Sequence, residues 1–189
     1  MRIIIIFVIV SIFCACNVFE PREADAPGKI AEWNHYVTSA DQCVENLLFA
    51  YNYRENIYKY SDILEENFRF YFDTQDINDF TLPSNWSKTN EIDMLINLYQ
   101  QSDNTQEVTL ALSKISGQSD TYHSNDADIY RFYELYVNHN ITNISQSFSG
   151  KCQLHLEKGS DGFWRITEWY DFRDESEWTW GRMKNAFSS

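Results

Sequence analysis

The stretch SFSGKCQLHLEKGSDGFWRITEWYDF, residues 147–172, carries the clearest pattern in the chain. Phe148, Cys152, Leu154 and Leu156 share one face, with Ile144 just ahead of them. Ser145, Ser147, Ser149, Lys151, Gln153, His155 and Glu157 take the other. Successive side chains of a strand point to opposite sides, so this alternation predicts a long strand with one buried face. Gly159-Ser160-Asp161-Gly162 has the composition of a turn. Residues 163–172 then return as a last strand. Simple alternation puts Trp164, Ile166, Glu168 and Tyr170 on one of its faces. A sheet that is apolar on one side must cover that side with another layer.

The rest of the chain supplies the layer. Upstream, residues 129–137 (IYRFYELYV) read as a strand that is apolar on both faces, and Val108, Leu110 and Leu112 alternate in another. Before Asn104 the period is helical. Ser39-Ala40-Asp41-Gln42 fits a capping box, and Val44, Leu47, Leu48 and Tyr51 follow at i, i+3, i+4, i+7. Residues 55–66 suggest a second short helix. Phe68, Phe70 and Phe72 alternate in NFRFYFD, a strand signal. Residues 74–86 contain Pro83 and read as irregular. Ser87 caps a third helix carrying Ile92, Leu95, Ile96 and Tyr99. Three helices followed mostly by strands imply an α+β fold, with helices on one face of an antiparallel sheet.

The 189 residues fit one such domain. Aromatic residues make up 16%, too many for a disordered chain. The 28 acidic residues against 15 Lys and Arg give a formal charge of −13. Phosphate needs a basic face, so nucleic acid is excluded as a partner.

The first fifteen residues are MRIIIIFVIVSIFCA. This apolar run is shorter than the roughly 20 residues a membrane span needs, and it reads as a signal peptide. Its end, Phe13-Cys14-Ala15-Cys16, resembles a bacterial lipobox. That resemblance implies cleavage before Cys16 and lipidation of Cys16 with acyl chains such as palmitate. Asn17 after the lipidated cysteine resembles an outer-membrane sorting signal. The expected plan is a signal peptide at 1–15, a lipidated tether at 16–37 and one α+β domain at 38–189. A coil of about twenty residues reaches roughly 25 Å from the membrane.

Two blocks carry a second resemblance. One is YSDILEENFRFYFD (60–73) with NWSKTNEIDMLINLY (85–99). The other is SFSGKCQLHLEK (147–158) with FWRITEWYDFRDESEWTWGRMKNAF (163–187). Together they resemble the nuclear transport factor 2-like superfamily, also called SnoaL-like or cystatin-like, and within it bacterial lipoproteins without assigned function. The resemblance implies a curved sheet wrapped round helices, a cone with a cavity. Members include isomerases, dehydratases, cyclases, transport factors and interaction domains, so fold alone does not give function.

Three polar residues interrupt apolar strand faces. Arg131 shares a face with Ile129, Tyr133, Leu135 and Val137; Gln146 lies between Ile144 and Phe148; Glu168 lies with Trp164 and Ile166. In a cone, Arg131, Tyr133, Gln146 and Glu168 make a candidate ligand pocket. The plainer alternative is an Arg131–Glu168 ion pair with Gln146 at the open end of the sheet. No catalytic residue can be assigned, since no catalytic motif of the superfamily matches. His35, His123, His139 and His155 lack ligand spacing, so no metal site is expected. No cofactor motif is present. Cys43 and Cys152 could form a disulfide worth at most about 4.7 kcal/mol; buried thiols are the alternative. Trp178, Trp180, Met183 and Phe187 read as a terminal segment packed on the sheet edge, with an aromatic ligand lip as the alternative. The functional expectation is a lipid-anchored envelope domain that binds a small apolar ligand or a partner protein without catalysis. The alternatives are a small-molecule enzyme working in the cavity and a homodimer joined through the sheet.

Overall fold

The computed structural model describes residues 32–102 and 108–188. The expected signal peptide, Cys16 and the expected tether as far as residue 31 lie outside the described residues. Helix α1 is Ala40–Asn52, followed by a 3₁₀ segment at Arg54–Ile63. Next come strand β1 (Leu64–Tyr71), helix α2 (Thr74–Phe80), strand β2 (Asn85–Ser87) and helix α3 (Lys88–Gln101). Strands β3 (Val108–Lys114), β4 (Thr121–Tyr122), β5 (Asp126–Val137), β6 (Ser147–Lys158) and β7 (Trp164–Phe172) follow, then helix α4 (Trp180–Ala186). The architecture is α+β, a curved and unclosed sheet around helices, as the sequence pattern implies.

The strand order is β2-β1-β7-β6-β5-β3, with β4 beside β5. Every pairing is antiparallel except β1 with β7, which is parallel. That pair departs from the expected all-antiparallel sheet. Helix α2, strand β2 and helix α3 lie between β1 and the later strands, so β1 and β7 meet across a long connection and not through a hairpin.

The helix ends follow local chemistry. The Ser39 side chain accepts from the Gln42 N–H. Gln42 Oε1 reaches back, but to Thr38, whose N–H donates at 2.8 Å. Ser87 and Asn90 form a full capping box on α3. The second helix is shorter than its pattern suggests, because Leu64 leaves it to pair with Ile166 in the sheet. In the stretch expected to be irregular, Asp73 caps α2, which ends at Thr81 with φ 55°. Residues 32–37 lie across α1: Asn46 exchanges hydrogen bonds with the Asn34 backbone at 2.8 and 2.9 Å, and Asn56 Nδ2 donates to the Glu32 carbonyl.

One irregularity decides which side chains face inward on β7. His155 pairs with Glu168 but Leu156 pairs with Ile166, so Thr167 is an extra residue, a β-bulge. Beyond the bulge the alternation inverts. Trp169 and Asp171 point into the core, while Glu168 and Tyr170 point out.

Candidate functional site

The four residues of the expected pocket do not meet. Arg131 is buried and its guanidinium donates to Asp120 Oδ1 at 2.7 Å, so the ion pair is with the loop before β4 and not with Glu168. Gln146 is exposed, donating to the His139 carbonyl and accepting from Tyr136 O–H. Glu168 lies on the outer face because of the bulge, where it accepts from Tyr170 O–H at 2.8 Å. Tyr133 is fully buried on the same face of β5 as Arg131, two residues along the strand. The disulfide is not formed either: Cys43 and Cys152 are free, buried thiols. Cys43 sits against the Ile63 carbonyl, whereas Cys152 lies between its cross-strand partners Arg131 and Asp171. Burial pushes the Cys43 thiol up to about 12 and raises Cys152 further.

The interior holds the chain's own C-terminal segment. Trp180, Met183, Lys184 and Phe187 are all fully buried. Their spacing, i, i+3, i+4, i+7, is one helix face, and α4 turns that face inward. Trp180 packs edge-on against Trp169 with centroids 4.3 Å apart, and against Tyr51 at 5.3 Å. Its indole N–H donates to Tyr51 O–H at 3.1 Å. The segment is therefore neither an edge strap nor a lip, as the sequence suggested, but part of the core.

Three buried carboxylates hold this segment. Asp76 on α2 accepts from Arg173 and from the Thr179 hydroxyl. Asp171 on β7 accepts the Gly181 N–H at 2.6 Å and Tyr133 O–H at 2.8 Å. Tyr133 in turn accepts the Trp180 N–H at 2.7 Å. Glu91 on α3 pairs with Lys184, and both are completely buried. Tyr60 also donates to Glu91 Oε1, at 2.8 Å. Tyr133 reaches Asp171 only because Gly150 stands opposite it: a Cβ there would come within 2.5 Å of the Tyr133 oxygen.

Burial dominates the electrostatics. It pushes the Asp171 carboxyl up to about 7, against the pull of its Gly181 and Tyr133 hydrogen bonds. It lowers Lys184, while Glu91 acts the other way. Tyr51, Tyr60 and Tyr133 are raised well above the ordinary phenol range, again by burial first. An acid of this kind beside a phenol can trade a proton, but here both carboxylate oxygens are occupied in fastening α4.

Outside, His155 Nδ1 meets Asp128 Oδ1 at 2.9 Å, and Gln153 donates to the same oxygen. Burial lowers the imidazole, yet Asp128 and Glu157 raise it more, so its proton is held more tightly than usual. A surface cleft of about 390 Å³ runs nearby between Glu65, Glu66, Asn67, Glu157, Lys158 and Gly159. No group of three or more His, Cys, Asp or Glu that could hold a metal occurs among the described residues. No described helix is long and apolar enough to cross a membrane.

No protein-family model matches the chain, and no curated protein matches its sequence. Solved structures match its shape. A conserved protein of Planctomyces limnophilus superposes with a TM-score of 0.56 at 8% identity, over 70% of this chain and 91% of that one. A Kribbella flavida protein gives 0.56 at 9% identity, over 77% and 93%. A nuclear transport factor 2-like superfamily protein from Salmonella enterica gives 0.51 at 10% identity, over 72% and 90%. The class is thus a cone of curved sheet and helices, and the chain has the nuclear transport factor 2-like fold. Identities this low speak for the fold alone.

Proposed function

We propose that this chain is a lipid-anchored domain of the bacterial cell envelope, held through Cys16 at the outer membrane, that acts by binding a partner protein at its surface. The observation that carries the reading is the filled interior. Trp180, Met183, Lys184 and Phe187 occupy the space a resident apolar ligand would need. While α4 is seated, the domain presents only its outer surface to other molecules. The anchor part is supported by the lipobox-like Phe13-Cys14-Ala15-Cys16 alone.

Native mass spectrometry of the full chain extracted from a bacterial envelope tests both parts. The expected result is a diacylglycerol-type mass on Cys16, lost in Cys16→Ser, and no further adduct on the folded domain. A chain retaining Met1 with an unmodified Cys16 would overturn the anchor. A small apolar molecule retained by the folded domain would overturn the surface reading.

One observation favours a second reading, turnover in the interior by an isomerase, dehydratase or hydrolase. Asp171, raised to about 7 and touching Tyr133, is the desolvated acid with a polar partner that such chemistry needs. That reading requires α4 to leave, because Trp180 and Gly181 donate to this pair.

A further inference from the structure

Lys184 ends in a place shaped for an ammonium group. Its Nζ pairs with Glu91 and lies 4.1 Å from the Trp169 ring centroid, 4.2 Å from Phe70 and 5.6 Å from Trp180. A carboxylate together with several ring faces is the chemistry by which proteins hold organic cations. The site is also larger in polar capacity than a lysine uses. Glu91 Oε2 and Trp169 Nε1 are both buried and have no hydrogen-bond partner among the described residues. Stability does not ask for such a site: apolar side chains of similar volume serve a core as well as a buried ion pair does.

The parts divide cleanly between scaffold and segment. Glu91 stands on α3, Tyr60 on the 3₁₀ segment, Phe70 on β1 and Trp169 on β7. Only Lys184 and Trp180 arrive with α4. We infer that the cone interior is a recognition site for a small organic amine, a primary alkylamine in its ammonium form, and that the chain occupies it with its own Lys184. Helix α4 is then a tethered ligand, and its release presents Glu91 and the rings of Phe70 and Trp169. This rests on the binding reading only in taking α4 as the element that closes the interior; the anchor at Cys16 plays no part.

Two measurements test it. In Lys184→Ala the site loses its own cation. Propylammonium chloride should raise the thermal midpoint of this variant saturably, and equal concentrations of 1-propanol or sodium chloride should not. Adding Glu91→Gln should abolish the rise. An equal effect of propanol, or no effect of the amine on the folded variant, overturns the proposal. Should Lys184→Ala fail to fold, the unaltered chain decides. An amine that binds only the open form multiplies the open population by 1 + [L]/Kd, about tenfold at nine times Kd. Hydrogen exchange at residues 178–187 should then quicken in propylammonium relative to sodium at the same ionic strength. Unchanged exchange up to the highest soluble concentration overturns the inference. A resident apolar adduct in the mass spectrum would instead overturn the surface-binding reading, so the two failures are separate.

Discussion

Replacing Lys184 with Met should be among the most damaging single changes this domain can suffer. The side-chain volume is kept, so the loss is electrostatic. Glu91 is left completely buried, with Tyr60 as its remaining donor. Removing one partner of a buried pair costs about 3–5 kcal/mol. For a chain of this size each kcal/mol lowers the melting midpoint by about 2–4 °C, so a fall of roughly 6–20 °C is expected. Glu91→Gln should cost less, about 1–3 kcal/mol, because the ammonium keeps its ring faces and the amide oxygen still accepts from Tyr60. The double variant sets Met against a neutral amide. It should lie within about 2 kcal/mol of the parent, which implies a coupling of at least about 2 kcal/mol. Urea unfolding followed by circular dichroism on all four proteins gives the cycle. A Lys184→Met loss under about 1 kcal/mol, or losses that simply add, would refute the claim that this pair fastens α4.

Asp171 sets a pH dependence. Its folded value of about 7 lies above the ordinary 3.8, so the folded state binds that proton more tightly than the unfolded chain does. Its stabilising contribution is complete below the ordinary value and is lost as pH rises through about 7. Midpoints of the parent should therefore fall relative to Asp171→Asn between about pH 5 and 8, and parallel curves would contradict this; His155, also raised, has the same sign but is common to both proteins. Gly150→Ala should cost about 1–3 kcal/mol, because the new Cβ meets the Tyr133 oxygen and the Phe172 carbonyl at 2.5 and 2.7 Å; a silent substitution in a urea titration would show that Tyr133 is not pinned to Asp171. Asn52 guards a sheet edge: its amide donates to the Leu110 carbonyl and accepts the Leu110 N–H at 2.7 Å. Asn52→Ala frees those groups and should promote concentration-dependent association seen by light scattering; a variant that stays at the parent's mass at all concentrations would dismiss this role.

How far the sequence could be read depends on where its periodicity breaks. On β6 the alternation of Phe148, Cys152, Leu154 and Leu156 runs unbroken, and those side chains are buried as expected. The caps at Ser39 and Ser87 were legible because they need only residues three apart. On β7 the same period of two breaks at one residue. Thr167 bulges, the phase inverts, and Glu168 leaves the interior that Asp171 enters. Nothing in ITEWYD marks a bulge, since its cause is the pairing with β6 and not the local composition. The Glu91–Lys184 pair is hidden in the sequence for a different reason. Each residue sits in an apolar helical row, Glu91 with Met94, Leu95 and Leu98, Lys184 with Trp180, Met183 and Phe187. A single charge inside such a row normally marks the rim of a buried face. Two rows carrying single charges of opposite sign, 93 residues apart, point to each other, because neither charge could enter a core without a counter-charge. The local signals were therefore present in both segments. Their partnership was not, because it is made by the closing of the cone around its own C-terminus.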